Sequence, residues 1–429
     1  MHDPDNFSEY SDGQIWNALS ETEGIAKCMA LREIADRAYN RKNFTDAIAM
    51  SEQAAAIAEE IDDHRLAADC RLNQAYATYQ NGQVAETEQT YALALEEFRI
   101  IGDQYNMGET LCRMADIAGE LRNYEMVLTH ATDAQHLGVA EDNWWIIAYS
   151  AYYMGRGNYF LDHEELALEN LERSRHFFRK RGDLVKVAMV DDFAATVQSY
   201  LGREQEAVNL LRSCVYIADA TQDKNDDPYA LRRLGNSLSR VGRYEEALDY
   251  LGRSLNEYQS RNQHRTYAFV AKEIADNLGM NNQHQEALAQ YERAQSLLDS
   301  LGEDHAVRHC KMRRSQLLHD HDDFSQAERL ARQVYLEVVS NEEFDDQSYI
   351  YWVGLHLADN LLELEKFQEL LDLTAELDES RAEPSPSNLV WKKTMRARAL
   401  NALGHSHEAL AEVEAALSLT TDEILNATT

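Results

Sequence analysis

The side chains best suited to metal chemistry lie in the run HDHDD, His319 to Asp323, with His305 and His309 four apart on one helix face beside Cys310. Imidazole, thiolate and carboxylate are ligand types that zinc accepts. The run spans a turn between two helical stretches, however, where an Asp caps the start of the next helix and the histidines can simply be solvated. No metal and no cofactor is expected from it. Catalytic signatures are missing too: the sequence has no glycine-rich phosphate loop followed by Lys and Ser or Thr, no Gly-x-Ser-x-Gly turn and no CxxC pair. The chain reads as a protein that is not an enzyme, and the chemistry left to it is binding. The most aromatic stretch, WWIIAYSAYYMGRGNYF from Trp144 to Phe160, sets one Arg among its tyrosines.

What must position these residues is a repeat. Small residues recur in steps of 40 at Ala35, Ala75, Ala115, Gly155, Ala195, Gly235, Ala275 and Ser315, then with register shifts at Ala358 and Ala397. Twelve residues after each comes a second series, Ala47, Thr87, Val127, Ala167, Ala207, Ala247, Ala287, Ala327, Leu370 and Ala409. Seven further on lies a third, Ala54, Ala94, Ala134, Ser174, Cys214, Ser254, Ala294, Val334, Leu377 and Ala416. Where two antiparallel helices touch closely, small side chains let the backbones approach. The three series predict ten helix-turn-helix units over residues 27–416, each leaning on the next because one unit cannot bury its apolar face alone. Turn residues precede the second series at Asn43, Gly82, Asn123, Asp162, Gly202, Gly242, Asn282, Asp322, Glu365 and Gly404. Residues 1–26 are expected to be an acidic segment with a short capping helix around Ile15, Trp16 and Leu19, and 417–429 a polar C-terminal tail.

With Gly235, Ala247 and Ser254 in these places, the unit resembles the tetratricopeptide repeat, which has a small residue in its first helix, Ala opening the second, and Ala two turns later. The resemblance extends over residues 27–416. These units run near 40 residues where the family repeats every 34, and they lack the Pro that closes the family's second helix. Longer helices are expected, as in the long-repeat branch of kinesin light chain, Rap-type peptide receptors and the sensor regions of MalT-like regulators. The resemblance implies an all-α fold, a right-handed α-solenoid forming one domain, with the first helix of each repeat on the concave face. Residues at −6, −3, +1 and +4 from each first small site share one helix side and would then look into the groove.

In repeat four these are Tyr149, Tyr152, Arg156 and Tyr159. Three tyrosines around one Arg suit a partner surface, or else a bulky repeat packing internally. Repeat six gives Tyr229, Arg232 and Asn236, and repeat seven Phe269, Lys272 and Asp276. Arg232 and Lys272 could hold acidic groups of a peptide whose main chain pairs with Asn236, while the alternative is an intramolecular Lys272–Asp276 pair. Through repeats four to seven the same offsets trace one partner-binding strip.

Composition narrows the role. Hydrophobic residues make up 44% of the 429, and no apolar run approaches the ~20 residues of a membrane span. The start, MHDPDNFSEY, lacks the basic end and apolar middle of a secretory signal, and the five cysteines are scattered without paired spacing, so reduced thiols in a cytoplasm are expected. With 75 Asp and Glu against 41 Lys and Arg, the net charge of −34 argues against direct nucleic-acid or membrane contact. The first functional reading is a non-catalytic protein–protein interaction scaffold that takes a peptide or helix of a partner into its groove. Its alternatives are a peptide-sensing regulator acting through a protein partner, and an acidic inhibitor that mimics nucleic-acid charge. The sequence names neither the partner nor the oligomeric state.

Overall fold

A computed structural model describes residue 7 and residues 10–220, 227–341, 344–379 and 384–428, with side chains as far as 420. All regular structure among the described residues is α-helical. The chain divides into two compact units, Met1–Gln222 and Asp223–Thr429. The division falls between repeats five and six, where one helix ends at Ala220 and the next starts only at Pro228.

Unit 1 opens with α1 (Asp12–Leu19) and continues as five hairpins. These are α2 (Gly24–Asn40) with α3 (Phe44–Glu60), α4 (His64–Gln80) with α5 (Val84–Ile101), α6 (Gln104–Glu120) with α7 (Tyr124–Ala140), α8 (Trp144–Phe160) with α9 (Glu164–Arg181), and α10 (Leu184–Tyr200) with α11 (Glu204–Ala220). Unit 2 holds the other five: α12 (Pro228–Arg240) with α13 (Tyr244–Ser260), α14 (His264–Met280) with α15 (His284–Ser300), α16 (Asp304–His319) with α17 (Phe324–Val339), α18 (Gln347–Glu363) with α19 (Phe367–Asp378), and α20 (Pro386–Ala402) with α21 (Ser406–Thr428). The segment expected to be a tail from 417 is helical through Thr428, since LSLTTDEILNA contains no Gly or Pro to stop α21. The expected capping helix is α1, whose Ile15 is buried against Phe7 and Ala30, while Asp12 takes Arg37 at 2.9 Å and Arg41 at 2.7 Å.

The 40-residue period is two 20-residue steps, most of them a helix of 17 residues and a three-residue link. The middle link residue is left-handed: Lys42, Asp62, Gly82, Gly102 and so on to Gly202 in unit 1. This closes each helix with a paired motif, as where Gln83 N–H donates to Thr78 O at 3.1 Å and Gly82 N–H to Tyr79 O at 2.9 Å. The residue after it often caps the next helix, Asp63 accepting from Leu66 N–H at 3.0 Å. Asn43 and Asn123, expected to make the turn, are such caps, and the left-handed residues are Lys42 and Arg122 before them.

All three small-residue series are buried in every repeat. They mark contact inside a hairpin. A Cβ on Gly235 would stand 3.2 Å from Ala247 O and 2.7 Å from Leu251 Cγ, so α12 and α13 touch at the first and second series. At the same register in repeat eight, Ser315 Oγ donates to Ala327 O at 2.7 Å. The third series meets the start of the same repeat's first helix, where Ser254 Oγ donates to Pro228 O at 2.7 Å. First helices of successive repeats also touch one another, as α6 with α8 and α8 with α10 in unit 1, or α14 with α16 and α16 with α18 in unit 2. Second helices make no comparable mutual contact among the described residues, so the first helices form the inner row of each unit.

Candidate partner-binding surfaces

The expected strip falls on both units, and each part is taken within its own. In unit 1, Tyr149, Tyr152, Arg156 and Tyr159 stand half-buried on one side of α8. Tyr149 is mostly a packing residue, its ring 4.3 Å from Trp145 and 5.2 Å from the fully buried Phe178. Tyr152 and Tyr159 reach α10, with Phe193 at 6.2 and 5.6 Å, and Tyr200 lies 5.6 Å from Tyr159. Burial pushes the Tyr152 and Tyr159 phenols up, so both are neutral hydroxyls at physiological pH. Arg156 donates to Asp116 Oδ1 on α6 at 2.9 Å and lies 5.8 Å from the Tyr152 ring centre. The aromatic wall is therefore there, but its cation is already paired with the neighbouring repeat.

Unit 2 repeats that arrangement. Arg232 on α12 holds Glu273 on α14 with two donors, Nε at 2.8 Å and Nη2 at 2.5 Å. Lys272 Nζ donates to Asp276 at 3.0 Å, the intramolecular pair foreseen as the alternative to peptide binding, and Asp276 also accepts from Tyr291 OH. Asn236 and Phe269 are half-buried on the same inner row, and Tyr229 is exposed at the start of α12.

One opening on unit 2, a groove of about 650 Å3 over α14, α16 and α18, takes in the expected Asp276 and runs on into repeats eight and nine. Met280, Tyr349 and Trp352 give it an apolar side, and Asp276, Arg313 and Gln316 a polar one. Tyr349 and Trp352 are 5.8 Å apart and tilted. Arg313 donates to Gln316 Oε1 at 2.9 Å, and its Nε is 3.6 Å from Asp276. Gln316 in turn donates its amide N–H to His356 Nε2 at 3.1 Å, which requires that nitrogen unprotonated. Burial, with His319 and Arg313 nearby, pushes His356 down to about 4; burial, with Lys272 and Arg313 nearby, does the same to His309, also to about 4. Both imidazoles are thus neutral, His309 lining the groove and His356 supporting Gln316. These residues were legible: His309, Met312 and Gln316 are −6, −3 and +1 from Ser315, and Trp352 is −6 from Ala358, the offsets applied only to earlier repeats.

The HDHDD run divides among structural roles. His319 ends α16 and contacts Asn360 at 3.1 Å, His321 lies 3.9 Å from His284 ring to ring, and Asp323 caps α17 by accepting from Gln326 N–H at 3.1 Å. Among the described residues no three His, Cys, Asp or Glu side chains come together as a metal site. None of their helices is long and apolar enough to cross a membrane.

Residues 226–300 match the family model for the tetratricopeptide repeat. No curated protein sequence matches the chain. Among solved structures, the chain is similar to a signal transduction ATPase with numerous domains that carries a tetratricopeptide repeat sensor, from Pyrococcus horikoshii, at 13% identity and a TM-score of 0.57. That superposition covers 77% of this chain and 53% of the other, so the chain spans about half of that protein's length. The apo form of RapI superposes at 16% identity and a TM-score of 0.50, covering 65% of this chain and 99% of RapI. A putative kinesin light chain from Podosopora anserina, with nearly identical repeats, is 20% identical with a TM-score of 0.39 over 43% of this chain and 91% of its own. Ten helical hairpins, five in each unit, with mostly small residues at their helix contacts, make this an all-α chain of tetratricopeptide-like repeats on a 40-residue period, and residues 226–300 carry the family's signature.

Proposed function

We propose that the chain is a non-catalytic interaction scaffold that holds a segment of a protein partner against its first helices. The observation that supports this best is the groove over α14, α16 and α18, whose volume of about 650 Å3 lies within the range that bound ligands fill. An apolar side chain seated among Met280, Tyr349 and Trp352, with a carboxylate or main-chain carbonyl toward Arg313, matches its two sides. The Tyr152 and Tyr159 face of α8 supports the same role in unit 1. The repeat family and its solenoid fold favour a protein or peptide partner over a small metabolite.

Cross-linking capture from a lysate of the source cells, read by mass spectrometry, tests the reading when run beside Trp352→Ala and Tyr152→Ala. At least one protein captured by the parent is expected to be lost from a variant that keeps its helical content, with an affinity loss on the order of 2 kcal/mol, as for buried aromatic anchors. If both variants fold and keep every partner, neither inner wall is the site. Salt separates the acidic-inhibitor alternative, because binding by charge mimicry collapses at high salt and an aromatic groove largely persists. A peptide-sensing regulator would use the same groove, and a conformational change induced by the captured segment alone would favour it.

A further inference from the structure

Unit 1 carries a second surface that the inner-wall reading leaves unused. From Arg173 to Lys186 the sequence holds six Lys or Arg and one carboxylate, Asp183, within a chain of net charge −34. Three of the six are engaged: Arg175 Nε lies 2.6 Å from the buried Asp191, Lys186 sits 5.4 Å from the Tyr149 ring centre, and Arg181 has the ring contact given next. Arg173, Arg179, Lys180 and Arg181 are exposed and form no ion pair among the described residues; Arg181 lies 5.1 Å over the Trp144 ring. Arg173, Phe177, Lys180 and Arg181, at i, i+4, i+7 and i+8 of α9, share one side of that helix. Apolar side chains flank it: Leu166 is 47% exposed toward the start of α9, and across the turn Leu184 is 44% and Val185 61% exposed.

The last-turn cations Arg179, Lys180 and Arg181 also offset the α9 macrodipole. That effect reaches only the final turn and explains neither Arg173, two turns earlier, nor the exposed leucines. We propose that this face of α9 docks an acidic, leucine-bearing segment of a protein partner. Screening selects this occupant over larger polyanions. At a Debye length of about 8 Å a short segment lying on the face senses the local cations, whereas a membrane or a nucleic acid also meets the carboxylates of a strongly acidic body.

The test uses the full chain and a fluorescein-labelled helical peptide of Glu and Leu, with the same peptide carrying Lys for Glu as its control, read by anisotropy. The acidic peptide is expected to bind at least about tenfold more tightly than the control and to weaken severalfold as salt is raised. Arg173→Glu combined with Lys180→Glu should reduce that binding about tenfold or more, as for loss of central charged contacts, and leave the melting temperature unchanged. Binding lost on this charge reversal and kept by Trp352→Ala belongs to α9, whereas binding lost only in Trp352→Ala belongs to the unit 2 groove and overturns the α9 assignment, so failure here and failure of the groove reading are distinguishable. The proposal is overturned if the two peptides bind alike, if charge reversal lowers stability without changing binding, or if anionic vesicles or single-stranded RNA outcompete the acidic peptide.

Discussion

Replacing Gly235 by Ala sets two effects of similar size against each other, and the geometry decides between them. In a helix interior Ala is favoured over Gly by about 1 kcal/mol. At this position the new Cβ would stand 2.7 Å from Leu251 Cγ, 3.0 Å from Leu251 Cδ2 and 3.2 Å from Ala247 O. Leu251 is fully buried and cannot swing into solvent, and the carbonyl belongs to the α13 backbone. Either the helices part or Leu251 leaves its rotamer, at a cost of about 1 to 3 kcal/mol for one inserted carbon. The expected net change is a loss of about 1 kcal/mol, combining the propensity gain with the overpacking cost. Gly252, on the same hairpin, supplies the control, since a Cβ there meets nothing within 4 Å. Gly252→Ala should stabilise by about 1 kcal/mol through propensity alone. Urea unfolding followed by helical circular dichroism reads both, and the midpoints should move in opposite directions from the parent. If Gly235→Ala stabilises as much as Gly252→Ala, the small-residue series does not report close helix contact.

Three further outcomes are expected. Gly182→Ala, at φ +74°, should cost about 1 kcal/mol in thermal unfolding, and Asp142→Gly, which relieves a non-glycine at φ 48°, should be neutral or stabilising. Asp191→Ala leaves Arg175 without its buried partner and should destabilise unit 1 by about 3 kcal/mol, whereas Asp116→Ala, which frees a half-exposed Arg156, should cost less than about 1 kcal/mol. His309 and His356, each pushed from 6.5 to about 4 in the fold, have depressed folded-state values; their contribution is complete above pH 6.5 and is lost as pH falls toward 4. The melting temperature should fall through that window, and His356→Gln should flatten the fall.

The architecture was legible because helix contact constrains size, and size is written directly in residue type. Positions 35, 47 and 54 and their equivalents stay small through most of the chain, and all are buried. Helix ends were less legible: Lys42 and Arg122 are ordinary residues, and only the 20-residue spacing from Gly82 and Gly102 betrays their left-handed role. The candidate site was half legible. The offsets picked the inner side of the first helices, and the aromatic bias of Trp144 to Phe160 drew attention to repeats four to seven. The pairing of Arg156 and Arg232 was missed, because charge partners were sought four residues away on one helix, whereas Asp116 and Glu273 lie 40 and 41 residues away on the adjacent first helix.

That spacing carries a consequence for recognition. Tyr79 with Glu120, Arg156 with Asp116, Arg232 with Glu273 and Gln316 with His356 are all rungs between neighbouring first helices, each 40 or 41 residues apart. A polar group used in a rung is satisfied before any partner arrives, and drawing it away costs about what the new contact supplies. Selectivity on the inner rows must then come mainly from shape and aromatic area, in Tyr152 and Tyr159 of unit 1 and Tyr349 and Trp352 of unit 2. The cations of α9 are in the opposite state: among the described residues Arg173 and Lys180 pair with no carboxylate, so a contact there gains its full screened attraction. Two surfaces with such different electrostatic starting points should separate under salt, the inner rows holding their segment while the α9 face lets go.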